Sequence, residues 1–442
     1  MYNSLAMQTV INDILGQNIR TEFVVELSFT NAENSSFTYA PLFIDSMNIE
    51  QDYTGKLCDD IKVTFKAKPE DYMALFDNRT NLRATLKITY VDPNTNGGQY
   101  DYTTPPTVKT YLAHMLSPKD LRATAPQIGV KTYPQVVDSE NPRVPVSIQL
   151  VNKAVYDSLH QQYTATYKNG TILALIHGIL VSYGITQCEI IPPDNVNKYA
   201  HFSLPPGKDL HDIFEYIQKT WGIYMKGVGY YYDDTCFYMW PEFDNEPVTN
   251  NVMNVYNSFK GMYAAVPSYH KIQGTTISIV TTGTTDTKDL SKSGSENQGT
   301  GTAFLRASCV LDGYATTDHT GTHINQNNSL LVTSPNPLPV NTNANVVKYK
   351  GSTDNIFEVS SELAEMQAKI ITTSWGQSIP FTFKPGQRVF YYNDNNGVFE
   401  KSSGILMAAR YNVKQGNKIG MGPTYRADCQ LKFRINPTPT TS

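Results

Sequence analysis

The sequence predicts an α+β protein that is mainly β, in which two sheet-forming regions flank a region with helices. Near both ends of the chain, apolar and polar residues alternate, as they do in strands that bury one face of a sheet. Near the middle, two segments carry apolar residues at the spacing of an amphipathic helix instead. The 442 residues are enough for about two to four domains.

The composition is that of a globular protein with few charges. Hydrophobic residues make up 40% of the chain and charged residues only 17%, against roughly 25% in typical soluble domains. We therefore expect Asn, Thr, Ser, Gln and the 29 tyrosines to cover the surface, which suits contact with other proteins. The formal net charge of −4 gives no general attraction to nucleic acid or to anionic lipid, so neither is predicted as a partner.

The cysteines and the apolar stretches of the sequence indicate the cellular compartment in which the protein is made. The five cysteines lie far apart and form no CxxC pair, so they fit neither a zinc site nor a disulfide framework. We expect free thiols in a protein made in a reducing cytoplasm. We expect no signal peptide, and no stretch approaches the roughly 20 apolar residues that span a bilayer. The cysteines are Cys58, Cys188, Cys236, Cys309 and Cys429.

Residues 1–145 predict a helical arm followed by a sheet. The apolar residues of the arm, residues 1–20, fall on one face of a short helix that Gly16 can end. They are Val10, Ile11, Ile14 and Leu15. Pro69 with two acidic residues behind it predicts a short helix among the strands that follow. The alternating residues of those strands are Phe23, Val25, Leu27 and Phe29, then Ile61, Val63, Phe65 and Ala67, then Leu86, Ile88 and Tyr90.

The region from about residue 146 to 265 contains the strongest helix signals. A strand over residues 146–151 and a short helix over 152–160 come first. Thr171 can cap a longer helix, and Gly184 can end it. The apolar stripe of this helix is Ile172, Leu175, Ile176, Ile179 and Leu180, which predicts one buried face.

A second helix and a hairpin are predicted after Asp209. Gly222 ends this helix. The tyrosines 230–232, a turn at Asp233-Asp234 and residues 236–240 then predict a tight hairpin closed by Pro241. The helix stripe is Leu210, Ile213, Phe214, Ile217 and Trp221.

The last region predicts a second sheet with a long polar loop. Residues 281–350 are rich in Thr, Ser, Asn and Gly and poor in apolar residues, which is typical of long surface loops. A helix is predicted from Ser360 to about Ile370, and an antiparallel meander follows. The predicted strands are residues 275–280, 303–310, 387–392, 405–413 and 425–435, and the predicted turns are residues 384–386, 393–397 and 415–417.

The sequence contains none of the catalytic motifs GxSxG, GxxxxGK[ST], HExxH or strand-linked GxGxxG. His319 and His323, with Asp318 beside them, could hold a metal ion, but an ordinary solvated loop explains them as well. His177 and His211 could act as general acid or base, or could be surface histidines. We therefore predict no enzyme, and no catalytic, cofactor-binding or metal-binding residue.

Three further segments admit two interpretations each. Asp233-Asp234 could be a carboxylate pair, but is interpreted as a pair of turn formers. The basic segment Lys384–Arg388 could contact phosphate, or could be a β-turn between solvated charges. The aromatic run Tyr230–Trp240 could stack on bases. It lacks interleaved Lys or Arg, which favours a core hairpin or a subunit interface.

The order of several segments goes beyond a generic β-rich chain. These segments are Asp59–Phe65, Pro145–Val151, Tyr167–Thr171, Ile172–Tyr183, Phe202–Asp209, Leu210–Trp221, Tyr238–Pro241, Phe383–Val389 and Gly404–Val413. Together they resemble the baseplate hub proteins of contractile-tailed bacteriophages. In that family a module with a helix that begins after a Thr, a polar link, a second helix and a hairpin is inserted between two barrel-like domains. The Pro-Gly turn at 385–386 resembles the turn before two long strands of the second domain.

The resemblance implies a division of the chain into four parts. Residues 1–20 would be the helical arm, and residues 21–145 a first barrel-like, tube-type antiparallel β domain. Residues 146–265 would be the helix-containing inserted domain. Residues 266–442 would be a second barrel-like domain with the long polar loop 281–350.

The resemblance also implies a function without an active site. Family hubs are homotrimers that join the sixfold tail tube to the threefold central spike, next to other baseplate proteins of the virion. The protein would be assembled in the host cytoplasm. Alternatives are another β-rich tail protein, such as a tail tube or a type VI spike-like hub, and also a receptor-binding adhesin or a cell-wall hydrolase.

Overall fold

The fold follows from a computed structural model that describes most of the chain. The described residues are 4–16, 22–91, 105–120, 143–159, 163–233, 236–244, 247–257, 270–281, 285–289, 355–366, 369–395, 398–419 and 422–436. The predicted strand at residues 303–310 and nearly all of the polar loop 281–350 lie outside them. Within the described residues the predicted α+β, mainly β class is confirmed.

Helices account for the smaller part of the described chain. They are α1 (Ser4–Gly16), α2 (Pro69–Asp77), α3 (Lys153–Leu159), α4 (Ile172–Ser182), α5 (Leu210–Thr220) and α6 (Ile356–Met366). Strands make up the rest of the regular structure. They are β1 (Glu22–Asn31), β2 (Thr38–Tyr39), β3 (Ile44–Asp52), β4 (Asp60–Ala67), β5 (Leu82–Val91), β6 (Thr107–Met115), β7 (Val144–Val151), β8 (Tyr163–Thr171), β9 (Cys188–Ile190), β10 (Lys198–Lys208), β11 (Val228–Asp233), β12 (Cys236–Pro241), β13 (Val252–Asn257), β14 (His270–Gln273), β15 (Thr276–Thr281), β16 (Asp286–Asp289), β17 (Lys369–Ser378), β18 (Arg388–Asn395), β19 (Val398–Ile419) and β20 (Gly422–Asn436).

The first barrel is a closed antiparallel sheet. Its strands follow the order β3, β4, β7, β6, β5, β1, β20 and β19, and β19 pairs with β3 to close the ring. The predicted alternation is confirmed, because the apolar residues of β1, β4 and β5 point into a common core. Closure leaves no free edge in this sheet. Core residues include Phe23, Leu27, Phe29, Ile61, Val63, Phe65, Leu86, Ile88, Ile148, Leu150 and Val413.

The second sheet uses the same two C-terminal strands. Residues 398–405 of β19 pair with β18, whereas residues 408–414 pair with β3 of the first barrel. A register shift between Leu406 and Ala408 marks the point where β19 passes from one sheet to the other, as expected of a bulge that re-aims a strand. The order is β14, β15, β13, β18, β19, β20, β17 and β16.

Two features set the second sheet apart from the first. β13 is parallel to both of its neighbours, β15 and β18. The sheet is curved so that its two ends approach each other, since the ring of His270 on β14 lies 5.3 Å from that of Trp375 on β17. Because β19 and β20 belong to both sheets, and β7 pairs within the first barrel, the division at residues 145 and 265 stays a prediction.

The region between the two sheets confirms the predicted helix faces. Thr171 caps α4 by accepting a hydrogen bond from Ala174 N, and Asp209 caps α5 in the same way from Asp212 N. The two apolar stripes are buried except for Trp221, which is the C-cap residue of α5 and is only partly buried. β11 and β12 form the predicted hairpin, to which β9 adds in parallel. β8 and β10 form a separate two-stranded ribbon.

The predicted N-terminal helix packs on the second sheet. Met7, Ile11 and Ile14 are buried against residues of β13, β15, β18 and β19. Val10, which the sequence pattern placed on the buried face, is 39% exposed. The prediction was wrong at this residue because the contact face is narrower than the apolar stripe.

Several predicted boundaries near the C-terminus are wrong. α6 begins at Ile356, where Asn355 Oδ1 accepts from Phe357 N at 3.0 Å, rather than at Ser360. Ile370 lies in β17, a strand that the sequence did not predict. The residues predicted as a turn at 415–417 lie inside β19, where a register shift absorbs them. β3, β6, β8 and β10 were also not predicted as strands.

Tyrosine is mostly an interior residue here. The expectation that tyrosines cover the surface is wrong for many of those described, because their rings fill the cores of the sheets. The buried tyrosines are Tyr53, Tyr72, Tyr111, Tyr224, Tyr230, Tyr231, Tyr232, Tyr238, Tyr256, Tyr391, Tyr392, Tyr411 and Tyr425. The thiols of Cys58, Cys188, Cys236 and Cys429 are free, as predicted.

Candidate functional site

Four charged side chains meet where the first barrel, the β11–β12 hairpin and the turn before β18 come together. We call Asp59, Lys109, Asp233 and Lys384 the junction cluster. Asp59 directly precedes β4, and Lys109 lies on β6, so both belong to the first barrel. Asp233 is the last residue of β11, and Lys384 opens the turn that leads into β18.

The cluster is a continuous chain of ion pairs. Lys109 Nζ donates to Asp59 Oδ2 at 3.1 Å and to Asp233 Oδ1 at 3.0 Å. Lys384 Nζ donates to the other oxygen of Asp233 at 2.5 Å. Two positive and two negative charges therefore neutralise one another across three parts of the fold.

Asp59 is held by further hydrogen bonds. Gln51 Nε2 donates to Oδ1 at 3.0 Å, and Tyr231 Oη donates to the same atom at 2.6 Å. Tyr111 Oη donates to Oδ2 at 3.3 Å. Tyr231 lies on the hairpin, so the carboxylate of Asp59 is a second link between the first barrel and the hairpin. A buried carboxylate with four donors is well satisfied.

The electrostatics favour the ionised forms. Burial lowers the pKa of Lys109, but the adjacent carboxylates of Asp59 and Asp233 outweigh it and raise the pKa above its ordinary value. Burial raises the pKa of Asp233, but Lys109 and Lys384 outweigh it and lower the pKa. Opposite charges within hydrogen-bond distance stabilise each other's charged form. Lys109 and Asp233 therefore both stay ionised at neutral pH.

The turn that carries Lys384 packs closely against the hairpin. Gly386 has φ of +61°, and a Cβ there would lie 2.7 Å from Val248 Cγ1 and 3.1 Å from Trp240 of β12. Lys109 Nζ also lies 4.7 Å from the centre of the Phe381 ring, just before the turn. The Pro-Gly turn is thus a contact surface for the hairpin.

The structure changes the interpretation of the charged segments. Asp233 is not only a turn former, because its carboxylate joins two lysines. The sequence pattern favoured a solvated charge at Lys384. In the structure Lys384 is exposed but pairs with the carboxylate of Asp233. Nothing in the sequence near either residue signals the pairing. The predicted aromatic hairpin is confirmed as a core element, since Tyr231 and Trp240 belong to the core cluster of the sheets.

The histidines considered as catalytic residues do not come together. His177 is exposed on α4, with Nδ1 3.6 Å from Cys188 Sγ. His211 Nδ1 lies 2.9 Å from Tyr230 Oη, which donates to the His211 carbonyl at 2.7 Å. Asp234, Asp318, His319 and His323 lie outside the described residues.

The described ranges hold neither a candidate metal site nor a candidate membrane-spanning helix. There, no group of three or more His, Cys, Asp or Glu side chains could hold a metal ion. Across the same ranges, no helix is long and apolar enough to cross a membrane. The charged groups of the junction cluster bond to one another and to neighbouring side chains of the protein. The cluster therefore cross-links the first barrel, the hairpin and the turn before β18.

No protein-family model matches the chain, and no curated protein matches it. Among solved structures, a tail protein from Neisseria meningitidis MC58 is similar over 92% of this chain and 96% of its own, with 11% identity and a TM-score of 0.46. The 43 kDa tail protein of prophage MuSo2 from Shewanella oneidensis is similar over 92% and 96%, with 10% identity and a TM-score of 0.44. A chain of the lidded Francisella PdpA–VgrG complex is similar over 95% of this chain and 54% of its own, with 9% identity and a TM-score of 0.47. Tail proteins are among the solved structures that this chain is similar to.

Proposed function

We propose that this chain is a structural hub subunit of a phage-type tail baseplate, and that it acts as a homotrimer without catalysing a reaction. The observation that carries the proposal is that one chain holds a closed barrel and a second, curved sheet which share β19 and β20. Such a chain presents two sheets in a fixed relation. The sequence resembles hub proteins that are built in this way.

The role that we propose for the two sheets follows from threefold symmetry. Three copies around one axis place six barrel-type sheets in a ring, which can face a sixfold tube on one side and a threefold spike on the other. A closed ring of identical chains needs one interface that repeats from each copy to the next. β14 and β16 end the second sheet, each with one side unpaired among the described strands. Unpaired strand edges favour contacts between chains.

The junction cluster supports the same role. Its ion pairs fix the hairpin to the first barrel and to the turn before β18. A ring subunit has to keep its two sheets in register with a tube and a spike, and such cross-links oppose bending between them. We propose the tail tube protein, the central spike protein and other baseplate proteins as the partners, and the virion tail as the location.

The size and shape of the purified protein test the proposal. Light scattering should give three times the chain mass of 49.4 kDa. Negative-stain images should show rings with threefold symmetry and six lobes. A species that stays monomeric at micromolar concentration in physiological salt would count against a hub. Sixfold rings would instead favour a tail-tube protein.

A further inference from the structure

Lys109 is a buried amine held against the carboxyl group of Asp59. Both side chains are nearly closed off from water, with exposed fractions of 10% for Lys109 and 5% for Asp59. Lys109 Nζ lies 3.1 Å from Asp59 Oδ2. Groups that are held at such a distance and well oriented can react as if at an effective concentration of roughly 10⁵–10⁸ M. The junction cluster therefore places a nitrogen nucleophile and an acyl group at reacting distance.

The two oxygens of Asp59 have different surroundings. Gln51 Nε2 donates to Oδ1 at 3.0 Å, and Tyr231 Oη donates to it at 2.6 Å. When an amine adds to Cγ of a carboxyl group, negative charge develops on one oxygen, and donors that are already in place stabilise that charge. Oδ2 lies next to Lys109 Nζ and accepts from Tyr111 Oη at 3.3 Å. Oδ1 is thus suited to carry the charge, and Oδ2 to leave as water.

Asp233 is the second carboxylate that contacts Lys109 Nζ. Its Oδ1 lies 3.0 Å from this nitrogen, within the reach of about 2.6–3.2 Å that a general acid or base needs. Asp233 can therefore take a proton from the nitrogen and return it within the same site. Its other oxygen accepts from Lys384 Nζ. Asp233 thus keeps a cation when Lys109 and Asp59 lose their charges together.

Aromatic side chains keep water away from the reacting groups. Tyr111 and Tyr231 are 2% and 0% exposed. The centre of the Phe381 ring lies 4.7 Å from Lys109 Nζ. Exclusion of water favours condensation, because water is the product that leaves and also the reagent that would hydrolyse the new bond.

We propose that Lys109 and Asp59 join in an intramolecular isopeptide bond between Nζ and Cγ, formed once in each folded chain. The ammonium group gives one proton to Asp59 Oδ2, and the nitrogen lone pair then forms the bond to Cγ. Asp233 takes a second proton from the nitrogen and returns it to Oδ2, whose bond to Cγ breaks as water leaves with the electron pair. The third proton stays on the amide nitrogen. One ammonium and one carboxylate thus give one amide and one water, and Asp233 ends as it began.

The ionised ground state of Lys109 makes this reaction slow. The first proton transfer works against the favoured ion pair, so the bond forms after folding rather than during it. Asp59 directly precedes β4 and Lys109 lies on β6, and β7 separates these two strands in the first barrel. The bond therefore links the barrel covalently across an intervening strand. It does not depend on whether the chain forms rings.

The intact mass of the purified full chain, measured after unfolding, tests the bond. The wild type should be lighter than its sequence mass by one water molecule, and proteolysis should give a branched peptide that joins Lys109 to Asp59. Lys109→Met should have its full sequence mass. Lys384→Met, which alters the other lysine of the cluster, should still lose water. If Lys109→Met does not fold, the branched peptide decides.

Three results would overturn the proposal. The first is a wild-type chain that keeps its full mass after days in the folded state at pH 7. The second is a water loss that persists in Lys109→Met. The third is a branched peptide in which Lys109 is joined to a carboxylate other than Asp59.

Two further variants test the roles of the neighbouring groups through the rate of conversion. Asp233→Asn keeps the shape of the side chain but cannot take the proton, so conversion should slow by about 10²–10⁴-fold. Tyr231→Phe removes one of the two donors to Asp59 Oδ1 and should slow conversion by about 10²–10³-fold. Both variants, as purified, should then still contain chains of full mass, which lose water over time. Complete conversion of both variants on purification would contradict the proposed route.

Discussion

Lys109 and Asp233 are 124 positions apart in the sequence, and their Nζ and Oδ1 atoms lie 3.0 Å apart in the fold. Both side chains are only 10% exposed. The pair joins β6 of the first barrel to the tip of the β11–β12 hairpin. Lys109 also pairs with Asp59, so its loss would leave the buried Asp59 without its cation and Asp233 with the exposed Lys384 alone.

Lys109→Met should therefore destabilise the protein strongly. Methionine keeps the length of the side chain but removes the charge, and a buried ion pair that loses one partner costs about 3–5 kcal/mol. Urea or guanidinium unfolding at pH 7 measures the free energy of unfolding directly.

Lys384→Met is the matched control. Lys384 is 42% exposed, and Asp233 keeps Lys109 when Lys384 is lost. An exposed pair contributes about 1 kcal/mol or less, so the loss should be small. If both variants lost the same stability, the buried position of Lys109 would not be the reason for its effect.

The pairing of these two lysines with Asp233 could not be predicted from the sequence. Asp233-Asp234 is correctly predicted as a hairpin tip, because turn formers act on their own neighbours. The partners of Asp233 lie 124 and 151 residues away, and no local pattern specifies such pairs. The same holds for β19, whose length depends on pairing with β3, β18 and β20.

Gly386→Ala tests the fit between the Pro-Gly turn and the hairpin. The backbone of Gly386 is left-handed, which costs other residues about 1–2 kcal/mol, and a Cβ would press on Val248 and Trp240. Gly184, at φ of +76°, has no atom within 4 Å of an added Cβ, so Gly184→Ala carries the backbone cost alone. Thermal unfolding should show a larger loss for Gly386→Ala, and equal losses would argue against the contact.

The α4 stripe was predicted from spacing alone, and the structure buries all five of its residues. Local periodicity succeeds here because one helix face meets one core. It fails for Val10, where the helix docks on a surface that a distant part of the chain supplies.

Leu175→Asp should unfold the region around α4, because it places an unpaired charge in a closed core at a cost of several kcal/mol. Leu175 is 1% exposed. Val181 on the same helix is 63% exposed, so Val181→Asp should change the free energy of unfolding by about 0.5 kcal/mol or less. Wild-type thermal stability in Leu175→Asp would show that this helix face is assigned wrongly.

His270 makes the second sheet sensitive to acid. Burial lowers its pKa from 6.5 to about 4, so the folded protein keeps it neutral where the unfolded chain binds a proton. Its effect on stability is absent above pH 6.5 and grows as the pH falls towards 4, with a loss of about 2 kcal/mol at pH 5. The ring lies against Trp375, where the two ends of the sheet approach, so the charge would open the sheet there.

His270→Gln removes this titration, and the difference in unfolding free energy between pH 7.5 and pH 5 should shrink by about 2 kcal/mol. His201→Gln, at an exposed position on β10, should leave the difference unchanged. A wild-type pH dependence in His270→Gln would mean that another group causes the acid sensitivity.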